Sequence, residues 1–203
     1  ALVTGDTISS SIRNEVHDSL GEVDEVLTAN RGQSLGNAGS APYFPLSLFD
    51  ELRLALDDFS EIDAIAPTIS ERTPVINPET RQSAGITNVV AIDPTHTPAF
   101  ATVVNMSGAT LPLRDLGESE ILLNQEAAEE LDAEPGHEVL MFLKTGPVPL
   151  RVKDVVRNGG IAGDNETVIM SLAEGQRVFG KADQANTIIV SNAGDSRAGA
   201  DLS

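Results

Sequence analysis

Nowhere along these 203 residues do apolar side chains run on for the ~18–20 positions that a membrane-spanning helix needs. Val, Ile and Leu recur instead in short stretches broken by Gly and Pro, a pattern that builds strands and short helices rather than long ones. Aromatic residues are only 3 % of the chain and Trp is absent, so the core has to be aliphatic. That composition also argues against an aromatic platform for sugars or nucleobases. Hydrophobic residues make up 40 %, enough for a packed core.

The stretches alternate in type. After Asp6 or Thr7, Ile8, Ile12, Val16 and Leu20 follow at four-residue spacing up to Gly21, which predicts an amphipathic helix. A strand is expected over 23–27 and a Gly/Ser/Asn loop over 30–42. Ser47 with Asp50 suggests a capped second helix, with Leu48, Leu52, Leu56 and Phe59 as its buried stripe. Strands follow at 62–69, 73–76 and 86–92, then at 121–123 before a short helix over 125–131. Pro135-Gly136 makes a turn, and strands come next at 139–143, 150–156 and 168–170. Ser171 and Glu174 box a last helix that ends at Gly180, and a strand at 187–190 closes the pattern. Helices and strands at both ends surround a β-rich middle, an α+β fold with a small β-rich insertion near 105–167.

Charge narrows the functional classes. Asp and Glu number 31 against 13 Lys and Arg, a formal net charge of -18. Such a surface repels phosphate backbones, so no nucleic-acid partner is expected. The scattered acid and the scarcity of lysine (Lys144, Lys153 and Lys181) resemble proteins of high-salt organisms; an acidic surface that simply maintains solubility is the other reading. Without cysteine there is no disulfide, thiolate nucleophile or Cys-based zinc site.

No motif demands catalysis. Gly32-Gln33-Ser34-Leu35-Gly36 satisfies the nucleophile-elbow spacing, but the elbow needs a helix just after it, and Asn37 to Pro42 cannot start one. His17, His96 and His137 lie far apart, without ligand spacing, and read as surface or turn residues. The Gly-rich loop at 159–163 lacks the Lys-Ser or Lys-Thr of a phosphate loop. No catalytic, cofactor-binding or metal-binding residue is therefore assigned. Asn105-Met106-Ser107 and Asn165-Glu166-Thr167 are sequons, relevant only if the domain lies outside the cell.

The order of segments carries more than any motif. Leu2 to Arg13 looks like the end of a membrane helix running into an amphipathic one, and the chain opens in mid-pattern, as a piece of a longer protein would. Then come Leu116-Gly117-Glu118-Ser119-Glu120-Ile121-Leu122-Leu123-Asn124, the turn Asp132-Ala133-Glu134-Pro135-Gly136-His137-Glu138-Val139, the strand Leu150-Arg151-Val152-Lys153-Asp154-Val155-Val156, and Val168-Ile169-Met170-Ser171-Leu172. This succession resembles the periplasmic core domain of MacB- and LolC-like ABC transporter permeases, in the wider FtsX-like group.

The resemblance implies a non-catalytic domain on the extracytoplasmic face of the membrane, between the first two transmembrane helices of its own chain. It implies a porter-like α/β part, 1–104 with 168–203, and a sabre-like β-rich insertion, 105–167. It also implies an ATPase subunit in the cytoplasm, an external protein or lipoprotein partner, and a dimer in the full transporter. The family's ATP site lies elsewhere, so no cofactor is expected here. The acidity and the 30–42 loop depart from the better-known members and leave the external partner open. Two other readings stand beside this one. Residues 116–156 also resemble a small double-psi β-barrel of a free-standing binding module, and Ser34 would serve a hydrolase. Loop position marks 30–45, 144–149 and 158–166 as candidate interaction surfaces.

Overall fold

The computed structural model describes residues 25–28, 41–56, 62–93, 95 and 103–192. The expected helix over 6–21, Ser34, His17, His96 and Phe59 lie outside the described residues. The first half runs β1 (Glu25–Thr28), β2 (Phe44–Pro45), α1 (Leu46–Leu56), β3 (Ile62–Ile76), β4 (Ser83–Ile92), β5 (Val103–Val104) and β6 (Thr110–Leu111). Then follow β7 (Glu120–Asn124), α2 (Gln125–Leu131), β8 (Glu138–Leu143) and β9 (Gly146–Val156). Last come β10 (Thr167–Ser171), α3 (Leu172–Phe179), β11 (Gln184–Ala185) and β12 (Thr187–Asn192). The fold is α+β.

Eight strands form one sheet in the order β1-β12-β3-β4-β10-β7-β9-β8, and β8 pairs back onto β3. Six of them therefore close into a ring, β3-β4-β10-β7-β9-β8, while β12 and β1 extend from its β3 side as a base. β7 and β10 have both faces covered, which is why Ile121-Leu122-Leu123 and Val168-Ile169-Met170 are unbroken apolar runs rather than alternating ones. Ring strands come from both sides of positions 105 and 167: β4 pairs β10 in parallel, and β10 pairs β7 antiparallel.

β3 links ring and base. The two strands expected at 62–69 and 73–76 are one 15-residue strand, about 50 Å long at ~3.3 Å per residue. From Ile62 to Thr68 it pairs with β12, and from Thr68 to Ile76 with β4. A register shift between Thr73 and Val75 absorbs Pro74, which cannot donate to a ladder. β1 lies antiparallel to β12 with Glu25 opposite Val190 and Thr28 opposite Thr187, so the chain enters β1 and leaves β12 at the same end of the base. β3 also starts there, with Ile62 opposite Asn192.

α1 packs on the base through Phe49, with Leu46, Leu52 and Leu56 partly buried against Ile65, Ile188 and Val190. This corrects the expected stripe. The helix starts at Leu46, directly after Pro45, so Ser47 lies inside it and the apolar face rotates; Leu48 is half exposed.

α2 and α3 are built alike. Each follows a strand whose last residue caps it, Asn124 accepting from the Ala127 N–H and Ser171 from the Glu174 N–H, and each ends on a left-handed residue, Asp132 and Gly180.

An ion pair joins β7 and β9 of the ring. The Lys153 ammonium binds the Glu120 carboxylate at 2.7 Å and the Asp115 carbonyl. That hydrogen bond, joined by the Gly117 N–H, holds Glu120 below its ordinary value of 4.5. A carboxyl whose pKa falls on folding stabilises the fold above its unfolded pKa, and this contribution fades as pH drops through the folded one. Glu120→Gln is thus expected to lessen the loss of melting temperature between neutral and acidic pH. An unchanged acid limb in a Tm-against-pH series would refute this.

Candidate functional site

Along its base-facing edge β3 is capped step by step. The Asn186 N–H donates to the Thr68 carbonyl, and the Asn186 side chain then accepts from the Ser70 N–H at 2.8 Å and donates to the Ser70 carbonyl at 3.0 Å. One buried amide side chain thereby takes the place of a further strand residue. Two positions on is Arg72. Its partner across β4, Asn88, sends its N–H the other way, to the Glu166 carbonyl on the β10 side. Arg72 and Asn88 are therefore a non-hydrogen-bonded pair, and the Arg72 main-chain N–H and C=O point away from β4.

What they face is the seam of the ring. β8 meets β3 at only two positions, Val75 opposite Met141 and Ile76 opposite Leu140. Past them the Thr73 hydroxyl donates to the Phe142 carbonyl at 2.5 Å, and the strands part. The gap widens into a groove of about 680 Å³ between β3, the β8–β9 turn and the C-terminal end of α3.

The groove is the basic part of an acidic molecule. Among the described residues, Arg72, Lys144, Arg177 and Lys181 line it, with Glu71 as the one carboxylate beside them. Glu71 accepts from the Tyr43 hydroxyl at 2.9 Å and from the Asn186 amide at 3.2 Å. Burial, then the Glu71 charge and hydrogen bond, push the Tyr43 phenol far above its ordinary value, so it stays protonated. The Lys181 ammonium sits 4.6 Å from the centre of the Tyr43 ring. Arg177 binds the buried Glu174 through two nitrogens, at 2.5 and 3.0 Å, and reaches the Ser119 hydroxyl. Among the described residues, Lys144, Lys181 and Arg72 have no carboxylate within salt-bridge distance. Phe142 is 38 % exposed and adds an apolar wall.

Tyr43, from the 30–45 stretch, and Lys144, from 144–149, share this groove, whereas 158–166 does not line it. Sequence reasoning missed the convergence, although the scarcity of lysine was the available signal: two of only three lysines meet here. His137 sits in its turn, its Nδ1 accepting from the Glu134 N–H at 3.2 Å. Asn105 holds a turn, its Oδ1 accepting from Ser107 and Ala109 while its Nδ2 donates to Asp154 at 3.0 Å. A glycan on Asn105 would replace one of the two hydrogens of that same Nδ2; Asn165 is exposed. Among the described residues no three His, Asp or Glu side chains are placed to hold a metal ion, and no helix is long and apolar enough to cross a membrane.

The architecture has solved counterparts. The extracellular domain of the noncanonic ABC-type transporter YknZ from Gram-positive bacteria superposes with a TM-score of 0.56 at 14 % identity, over 84 % of this chain and 83 % of that one. The periplasmic region of MacB from Actinobacillus actinomycetemcomitans gives 0.55 at 14 % identity, over 89 % and 84 %. At that identity the likeness speaks for the fold. No curated protein matches the chain in sequence. The profile of the MacB-like periplasmic core domain, however, matches residues 1–201. This chain belongs to the MacB-like periplasmic core domain family: it is the extracytoplasmic domain of an ABC transporter permease.

Proposed function

We propose that the domain catalyses nothing and relays motion: ATP hydrolysis in a cytoplasmic subunit moves the permease's membrane helices, and this domain carries the displacement to a substrate or partner outside. The observation that supports this is β3. One uninterrupted strand is hydrogen-bonded to the base over its first half and forms part of the ring over its second. A tilt applied to the base therefore moves the ring as a lever arm rather than being lost at a hinge. The same end of the base receives the chain into β1 and releases it from β12, as a domain held between two membrane helices requires.

In this reading the two-part division takes 1–104 with 168–203 as the driven part and 105–167 as the main source of the working part, with β3, β4 and β10 shared between them. Two copies facing each other in the transporter would work as a pair, and the external partner is a protein or lipoprotein. The closed ring of six strands also favours a binding role for the 116–156 stretch. That role fits within the permease reading as the part that grips.

Spin labels on the full-length permease with its ATPase test the relay. One label goes on exposed Gln82 at the far end of β3–β4 and one on exposed Glu51 of α1. Trapping the ATP-bound state should change the separation of the Gln82 labels in the two copies while the Gln82–Glu51 distance within a copy stays constant. Tips that stay still through turnover rule the relay out.

A further inference from the structure

We propose that the seam groove binds an extended, acidic polypeptide segment of a partner protein, seated beside β3 with carboxylates on Lys144 and Lys181. Three independent features converge on that ligand. The first is the backbone. Asn186 satisfies β3 up to Ser70, and the next outward-facing position, Arg72, offers an N–H and a C=O to the groove. An N–H and C=O pair on a strand edge is what an added strand recognises. Pro74 supplies no N–H, so the pairing is short and side chains have to contribute the rest.

The second feature is charge. The chain carries a formal -18, yet the described residues that line this groove include four cations and one carboxylate. The cations are not equivalent. Glu174 neutralises Arg177, and Asn88 accepts from Arg72 Nε at 3.2 Å, which holds that side chain against the sheet. Lys144, on the two-residue turn between β8 and β9, and Lys181, just past the end of α3, are left to meet an anion. Lys153, the remaining lysine, is already held by Glu120. An acidic partner gains attraction here and meets repulsion over the rest of the surface, so the charge pattern selects the place as well as the ligand.

The third is the wall. Exposed Phe142 and half-buried Phe179 add apolar surface to the lining that carries the two lysines. In an extended segment successive side chains point to opposite faces, so alternating acidic and apolar residues suit the groove. The proposal stands apart from the relay: a domain could bind such a segment without transmitting motion, and the spin-label measurement does not bear on it.

The test is titration of the domain with a fluorescein-labelled eight-residue peptide alternating Glu and Val, followed by anisotropy and by amide NMR shifts. The control peptide carries Gln in place of Glu. Binding of the Glu peptide alone, weakened by added salt, with shifts centred on Arg72, Phe142, Lys144 and Lys181, is the expected result. K144E/K181E, checked for an unchanged circular-dichroism melt, should bind about tenfold more weakly or worse, and K144Q/K181Q should fall between. Equal binding of the Gln peptide, shifts centred elsewhere, or undiminished binding by K144E/K181E overturns the proposal. So does association with anionic phosphatidylglycerol vesicles in place of the peptide. Groove shifts that grow with domain concentration alone would assign the site to a second copy, and would also overturn it.

Discussion

Asn124→Ala is expected to lower the unfolding free energy of this chain by about 3–5 kcal/mol, since each buried polar group left without a partner costs roughly 1–3 kcal/mol. Asn124 is fully buried at the end of β7 and uses both ends of its amide. Its Oδ1 accepts from the Ala127 N–H, capping α2, and from the Thr167 N–H at the start of β10, each at 2.9 Å. Its Nδ2 donates to the Ala162 carbonyl at 3.0 Å and the Asn165 carbonyl at 2.7 Å. One side chain therefore joins two ring strands, a helix start and the 159–167 loop. Alanine would leave two N–H groups and two carbonyls facing each other across a dry gap. Urea unfolding measures the loss; one below about 1 kcal/mol would mean water enters and replaces the amide. Asn124→Asp sharpens the test, because a carboxylate keeps the two acceptor bonds but repels the two carbonyls. Burial beside those carbonyls favours its neutral form, which can donate. The Asp variant should therefore be more damaged at neutral pH than in mild acid, the opposite trend from the parent.

That residue shows what was readable from sequence and what was not. A polar residue directly after an apolar run, with a helix-forming stretch behind it, marks Asn124 and Ser171 as caps, and both helices lie where this local chemistry puts them. The two strand–helix units, Glu120 to Leu131 and Thr167 to Phe179, share a cap, a left-handed stop and an apolar pattern but not their residues, so a residue-by-residue comparison does not reveal the likeness. α1 was misread at its start because Ser47-Asp50 satisfies a capping pattern that Pro45 pre-empts. The groove was not legible in any stretch. Arg72 and Lys144 are brought together by the closure of β8 onto β3, a long-range pairing of two residue pairs with no local signature, and Lys181 joins them only because α3 packs across β3 and β4. Asn186 likewise reads as one more loop amide until the strand edge it completes is known. The family resemblance was carried by the order of elements rather than by any single motif.

Gly175→Ala, a change that favours most helices by about 1 kcal/mol, is expected here to destabilise by about 3 kcal/mol. Gly175 is buried in α3 where the helix crosses β4, and a Cβ on it would lie 2.3 Å from the Ala91 Cβ. Carbon atoms in contact settle near 3.5–4.0 Å, so helix and strand would have to separate by more than about 1 Å. A methyl on Ala91 has no rotamer into which it can retreat. Separation would also pull Leu172 and Val178 from the core they share with Ile69 and Val89, and shift the helix end that carries Arg177 and Lys181 to the groove. The mechanism makes a prediction that propensity cannot: Ala91→Gly, which alone should cost about 1 kcal/mol in the strand, should restore most of the stability lost in Gly175→Ala. The two changes would then couple by about 3 kcal/mol in a double-mutant cycle followed by urea unfolding, leaving the double variant about 1 kcal/mol below the parent. Additive losses would place the damage elsewhere than at this contact, and a Gly175→Ala variant as stable as the parent would mean that α3 rides higher over β4 than the 2.3 Å spacing allows. The same cycle read through peptide titration separates groove geometry from global stability. If α3 sets the position of Lys181, the double variant should regain binding along with stability, whereas the single variant should bind weakly even at temperatures where it is fully folded.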